Sequence, residues 1–211
     1  MTTGEGAAHG SPNLAKYARR GLVSRVHQRR FFDLVARRVA AFAPSSVLDA
    51  GCGEGFVAEA LAARLPGVSI RAVDVDPAAV AFAASRSRSS VSYGVASLDA
   101  LPFADGAVDV VVCTEVLEHL AAPDRALAEL RRVARVGVVV TVPREPVFRT
   151  LLAMGMATGV SPDPEHVNFW TPAQFARWLR LADPGARTAT HSLYNVGVVA
   201  ASEPPVRISR P

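Results

Sequence analysis

The sequence predicts an α/β domain built on a parallel sheet that is covered by helices on both faces. Three observations carry this expectation. A glycine-rich segment, Val47-Leu48-Asp49-Ala50-Gly51-Cys52-Gly53-Glu54-Gly55, lies between an apolar run and an amphipathic helix pattern. Short apolar runs then alternate with helical patterns through the middle of the chain, as a sheet buried on both faces requires. The second of these runs, Val68 to Val73, ends in an acid, Asp74.

Residues 13–42 read as helical, because Leu14, Tyr17, Val23, Val26, Phe31, Leu34, Val35, Val39 and Phe42 recur at helical spacing with arginines between them. Gly21 is placed to divide this stretch into two helices. The first strand is expected near 46–50 and a helix near 56–65, with a second strand near 68–74. Asp76 before Pro77 is a helix start, an acid at the N-cap and proline in the first turn. Strands near 91–95 and 108–113 follow. The next helix begins at Pro123 and shows Leu127, Leu130 and Val133 on one face. A fifth strand runs from Val136 to Val142. Thr171-Pro172-Ala173-Gln174 is a capping box that opens a helix. The last strands are expected near 187–193 and 195–201.

The 211 residues suit one domain large enough for a full core. Half of them are apolar and the mean hydropathy is +0.21, yet the longest apolar runs are too short and interrupted to span a bilayer. The first residues lack the apolar stretch of a secretory signal, so a cytoplasmic setting is the expectation. The two cysteines, Cys52 and Cys113, fall near strand ends and suggest buried thiols, not a disulfide framework. The net charge of +4 would suit an acidic partner such as RNA or anionic lipid. However, Lys16 is the only lysine and no aromatic stripe accompanies the arginines, so the charge reads as compositional bias and nucleic acid is disfavoured. Arg19, Arg20, Arg25, Arg29 and Arg30 form the one basic patch.

A strand–glycine loop–helix unit lets a ligand approach the backbone and aims free N–H groups at it. The dinucleotide fingerprint spaces its glycines G-x-G-x-x-G, whereas this chain has G-x-G-x-G with Asp49 two residues ahead. An acid there would oppose a pyrophosphate and suits a cofactor with a cationic amino-acid end. Asp74, at the tip of the second strand, is placed to accept hydrogen bonds from ribose hydroxyls.

The phrases VLDAGCGEG, AVDVDP, LDALPFADGAVDVVV and CTEVLEHL, in that order, resemble the class I S-adenosylmethionine (SAM) methyltransferases that act on small molecules in quinone and natural-product pathways. The resemblance covers about residues 45–143. It implies a Rossmann-like, seven-stranded, mostly parallel sheet whose last strand is antiparallel, with SAM as cofactor. It also implies a cofactor contact for Asp49, Gly51, Cys52 and Gly53 at the methionine end, and for Asp74 and Val75 at the ribose. Similar enzymes contact adenine with an acid four residues before a Leu-Pro pair. That position is Ser97 in this chain, which leaves Ser97 and the Leu98 backbone as the adenine-side candidates. Glu115 is the candidate facing the sulfonium. On this reading residues 1–12 are a disordered tail and 13–42 a helical segment over the cofactor cleft. Residues 43–202 form the SAM-binding domain with a substrate-side insertion at 143–171, and 203–211 are a loose tail.

The acceptor is expected to be a small or lipid-linked molecule, with O-methylation favoured. Pro143-Arg144-Glu145-Pro146 and His166-Val167-Asn168-Phe169-Trp170 resemble substrate-side phrases of a subgroup of bacterial methyltransferases, over about residues 140–175. Arg144, Glu145, Asn168 and Trp170 are therefore candidate substrate contacts. One departure is the missing Pro-Gly-Gly turn, where Ala134-Arg135-Val136-Gly137 stands. His119 and His166 are the candidate general bases and are expected to line one cavity. The apolar stretch Phe148 to Val160, with Met154 and Met156, reads equally as a lid or a packed helix. No metal is expected, because the histidines show no ligand-like spacing. The rival readings are an RNA-modifying methyltransferase or RNA binder and a catalytically inactive SAM-binding relative. A nicotinamide dehydrogenase is disfavoured by the glycine spacing.

Overall fold

In the computed structural model, which describes residues 22–147, 150 and 166–201, helix α1 (Leu22–Ala40) precedes strand β1 (Ser46–Ala50). There follow α2 (Phe56–Arg64), β2 (Ser69–Asp74), α3 (Pro77–Arg86), β3 (Ser92–Val95) and β4 (Val108–Thr114). A short 3-10 turn, Leu117–His119, leads to α4 (Pro123–Val133) and β5 (Ala134–Pro143). The chain closes with α5 (Pro172–Ala182), β6 (Arg187–His191) and β7 (Tyr194–Ala200). The expected tails 1–12 and 203–211 lie outside the described residues. So do Leu14, Tyr17, Arg19, Arg20, Gly21, the Val23 side chain and residues 151–165 with Met154 and Met156.

The seven strands form one sheet in the order β3-β2-β1-β4-β5-β7-β6. The first five are parallel, and β7 runs antiparallel to both of its neighbours. Every residue of β4 is buried, as a central strand with helices on both faces requires. One core, with Phe31, Leu34, Val35 and Val39 of α1 and Leu61 of α2, covers one face of the sheet. The other unites Leu127, Leu130 and Val133 of α4 with Phe175 and Leu179 of α5. Among the described residues no helix is long and apolar enough to cross a membrane.

The local start signals act as the sequence indicates. The Asp76 carboxylate accepts from the Ala78 N–H at 2.8 Å and caps α3. At α5, the Thr171 hydroxyl accepts from the Gln174 N–H at 3.3 Å while the Gln174 side chain accepts from the Thr171 N–H at 3.0 Å. The approach to β5 differs from the expectation. Helix α4 ends at Val133 and β5 begins at Ala134, so Ala134-Arg135-Val136-Gly137 are strand residues and no turn replaces the missing Pro-Gly-Gly. Ala134 already pairs with Val108, which draws the strand back to the end of the helix. A Cβ on Gly137 would meet the Phe42 ring at 2.8 Å, so this glycine admits the ring against the strand.

Gly197 in β7 plays the same part on the opposite face. A Cβ there would collide with Leu179 Cδ1 and come within 3.1 Å of Val140 Cγ2 and 3.2 Å of Phe175 Cε1. Gly197→Ala is expected to cost about 1–3 kcal/mol by overpacking and to lower Tm by roughly 3–10 °C in thermal unfolding. An unchanged Tm would show that α5 can move off the sheet freely.

Candidate active site

The order of the strands reverses between β1 and β4. The chain leaves β1 towards α2 on one face and leaves β4 towards α4 on the other. This divergence opens a crevice at the carboxyl edge, the usual ligand site of such sheets. The glycine segment forms one bank. Gly51, Gly53 and Gly55 all have left-handed backbones, with φ of 81°, 50° and 78°. The Gly51 and Cys52 N–H groups donate to the Val73 carbonyl at 2.8 and 3.0 Å, which binds the loop to the end of β2. A Cβ on Gly51 would lie 2.5 Å from Val116 Cγ2, and one on Gly55 would lie 2.6 Å from the Tyr93 hydroxyl.

Beneath the loop, Asp49 is fully buried on β1, and neither of its oxygens has a hydrogen-bond partner among the described residues. Burial first, and the charge of Asp74 second, push its carboxyl up to about 7; the Ala58 N–H of α2, near it but outside hydrogen-bond geometry, pulls more weakly the other way. Burial also pushes the Cys52 thiol far above the usual range, so it is an unreactive wall of the loop. Asp74 holds two loops at once. One oxygen accepts from the Gly53 N–H at 2.7 Å, the other from the Asp76 N–H at 3.0 Å. Each oxygen keeps a second lone pair for a ligand hydroxyl. Val75, beside it, is 66% exposed. A buried carboxyl without a partner, an acid at the tip of β2 and three glycine-only backbones fit a cofactor with a cationic amino-acid end and a ribose.

On the side expected for adenine, the Ser97 hydroxyl accepts from the Asp99 N–H at 3.2 Å, and the Leu98 side chain is buried in the core. The following loop is bound to α4. Glu129 accepts from the Leu101 N–H at 2.7 Å, and Arg132 donates to the Phe103 carbonyl at 2.9 Å. Glu115 stands at the end of β4 with φ of 56°, its N–H donating to the Thr141 carbonyl at 3.0 Å.

The other bank is the 3-10 turn with the segment that returns after residue 165. The Val167 and Asn168 N–H groups both donate to the Glu118 carbonyl, at 2.9 and 3.0 Å. The Asn168 amide donates to the carbonyls of Leu117 and Leu120 at 3.2 and 2.6 Å. These bonds lay the His166 and His119 rings edge to face, with centroids 4.6 Å apart. His119 Nδ1 is buried without a hydrogen-bond partner among the described residues.

The four expected substrate contacts are placed differently. Arg144 turns to the loop after β6, its N–H donating to the Leu193 carbonyl at 2.7 Å and its guanidinium to the Ser192 carbonyl at 3.5 Å. Glu145 is buried, with its N–H donating to the Trp170 carbonyl at 3.1 Å. The Trp170 ring stacks on Trp178 at 5.2 Å, facing α5. Asn168 holds the turn that carries His119. In Arg144, Asn168 and Trp170, therefore, these groups engage the protein itself.

Two features were hidden from the sequence. Glu118, His119 and His166 bring donor atoms within 4.8 Å of one another, a group that could hold a metal ion. Chain spacing gives no sign of it, because a long insertion separates the two histidines, and the expectation of no metal rested on that spacing. The second is a brace under Gly55. The Tyr93 hydroxyl donates to Glu59 at 3.1 Å, and Glu59 also accepts from the Ser87 hydroxyl at 2.5 Å. An aromatic residue in a short strand reads only as core.

The methyltransferase-domain family matches this chain over residues 48–142. The ubiquinone biosynthesis O-methyltransferase of Xanthomonas campestris pv. campestris is 35% identical over 173 residues, spanning 77% of this chain and 71% of that protein. The protein of the same name from Hahella chejuensis is 32% identical over 162 residues, spanning 72% of this chain and 67% of that protein. In fold, the chain is similar to the magnesium protoporphyrin IX methyltransferase of Synechocystis PCC 6803 with bound SAH. The TM-score is 0.67 at 19% identity, over 91% of this chain and 95% of that one.

A cation placed near Asp49 favours its ionised form, so SAM binding should release a proton around neutral pH. With a free carboxyl near 7, SAM affinity is expected to rise roughly tenfold between pH 6 and 7.5 and to level off above. Asp49→Asn should flatten the profile. Calorimetry in buffers of different ionisation enthalpy reads the proton directly, and a pH-independent affinity would overturn the assignment. In the cofactor-free chain the sign is opposite for stability. The folded form holds this proton up to about 7 against 3.8 for the ordinary group, so its contribution falls as pH rises through that window.

Proposed function

We propose, for a chain that belongs to the class I SAM-dependent methyltransferases, that it methylates a hydroxyl oxygen of a small molecule seated against the His119–His166 pair. The cofactor follows from that membership. The observation that carries the acceptor site is the contact of the two imidazoles, 4.6 Å apart at the carboxyl edge beside the cofactor crevice. Similarity to ubiquinone biosynthesis O-methyltransferases supports oxygen as the receiving atom. Val167 and Phe169, 58% and 45% exposed around His166, support an acceptor with an apolar, lipid-linked body. The buried free thiols Cys52 and Cys113 support a cytoplasmic setting.

When bound, SAM supplies a methyl group on a sulfonium, to be displaced directly onto the acceptor oxygen. The residues of the chain do the rest. The glycine loop would receive the methionine end over Asp49, whose carboxylate would be the counter-charge. Asp74 would accept from the ribose hydroxyls while it keeps Gly53 in place. Ser97 and Leu98 would border the base, and Glu115 would lie on the sulfonium side. Imidazole is the side chain suited to taking the acceptor's hydroxyl proton at neutral pH. His119 is the better base because its turn follows directly from β4, whereas His166 belongs to a segment that returns to that turn through the Val167 and Asn168 bonds to Glu118. Alignment supplies much of the remaining rate.

A second reading comes from the proximity of Glu118, His119 and His166. Two imidazoles and a carboxylate are a common ligand set for a catalytic divalent cation with an open position. A cation held there would promote loss of the hydroxyl proton in place of a free imidazole.

With a working acceptor, His119→Ala is expected to lower kcat by about 10²-fold while the SAM dissociation constant holds. Wild-type kcat in both His119→Ala and His166→Ala would defeat the base assignment. Steady-state rates after exhaustive chelation decide between the two readings. Loss of turnover restored by Zn²⁺ or Mn²⁺ selects the cation, and full turnover without metal selects the imidazole.

A further inference from the structure

We infer that the cavity between α1 and the β6–β7 turn is a binding site for an amphiphilic anion, an apolar body carrying a negative head. The cavity is about 520 Å³, the size of a small-ligand site. It adds a substrate class to the methyl-transfer reading and rests on that reading only for its link to the acceptor, not for the binding itself.

The walls and the rim differ in chemistry. Val26, Phe31, Leu34 and Tyr194 form the apolar wall, and Val26 is 43% exposed. The wall is firm. Phe31 packs on Tyr194 with ring centroids 4.5 Å apart, and His27 Nε2 lies 3.2 Å from the Tyr194 hydroxyl. Arg30, His27 and His191 supply basic groups, and none of the described lining residues is acidic. The single acid of α1, Asp33, does not line the cavity and is paired with Arg64 at 2.7 Å. Arg25 and Arg29 are exposed on α1 but do not line the cavity. Of the arginines clustered in the sequence, Arg30 is the one placed at this ligand-sized apolar hollow among the described residues. A guanidinium at the mouth of an apolar wall matches a carboxylate or phosphate on a hydrocarbon or aromatic body.

The position connects the cavity to the reaction. Tyr194 opens β7 and pairs with Pro143, the last residue of β5, so the cavity lies on the same carboxyl edge as the acceptor site. Arg144, the next residue, holds the β6–β7 turn through the carbonyls of Leu193 and Ser192. An acceptor whose reacting hydroxyl faces His119 could extend its far end past β5 into this hollow. A separate amphiphile would satisfy the same chemistry.

The test uses the full chain with S-adenosylhomocysteine present and titrates decanoate, decanol and decylammonium in turn by calorimetry. Decanoate is expected to bind one to one and at least about tenfold more tightly than decylammonium. Arg30→Glu should weaken decanoate at least about tenfold, and Val26→Trp should block it by filling the hollow, while SAM binding holds in both. Equal binding of decylammonium, or decanoate binding that survives Arg30→Glu, would overturn the inference. A protein that binds SAM but not decanoate defeats the cavity alone, whereas loss of SAM binding would strike the methyl-transfer reading. Competition between decanoate and a methyl acceptor assigns the hollow to the acceptor's own body. Binding without competition assigns it to a separate amphiphile.

Discussion

One carboxylate at the amino edge of the sheet holds the three central strands together. Asp109, at the foot of β4, accepts from the Ser45 N–H and hydroxyl, both at 2.7 Å, and from the Ser46 N–H at 3.2 Å. From the other side Arg135 of β5 donates to it through Nε at 2.8 Å and also through Nη2. Burial would raise the carboxyl, but these bonds and the guanidinium win and hold it well below the ordinary carboxylate range. With β1, β4 and β5 pinned at one end, their opposite ends arrive at fixed heights. Those ends carry the glycine loop, Glu115 with the 3-10 turn, and Arg144.

The two banks of the crevice are built by different means, and this decided what could be read from the sequence. The cofactor bank is local. Its glycines, the acid two residues ahead, Asp74 at a strand tip and the Asp76 cap all act within a few residues of where they stand. The same holds for the capping box at Thr171. Such features leave a pattern in the letters, because each residue type is demanded by its own backbone conformation. Even there the tertiary partners were invisible, as with the Gly53 N–H on Asp74 and the Tyr93 hydroxyl that occupies the space beside Gly55.

The acceptor bank is non-local and was only partly legible. His119 and His166 could be singled out as residue types, but not the main-chain bonds through which Glu118 grips Val167 and Asn168. Nor could Glu118 be matched to a histidine separated from it by a long insertion. Arg144 and Trp170 were singled out by residue type alone. Their chemistry suggested ligand contacts, yet a guanidinium and an indole are also what a turn and a helix use for docking. The start of β5 was misjudged for a related reason, since pairing with Val108 extends that strand beyond what its own composition indicates.

The stack of Trp170 on Trp178 has an optical consequence. These are the only two tryptophans of the chain. Their rings lie 5.2 Å apart, and the Trp178 indole N–H donates to Asp124 at the start of α4. Tryptophan emission therefore reports from one spot, the seam joining α4, α5 and the segment behind His166. Excitation is shared between the rings, and a carboxylate lies against one of them. The chain thus carries its tryptophan pair beside the acceptor bank and no tryptophan on the cofactor bank, so selectively excited tryptophan emission can follow movement of one bank without a label on the other.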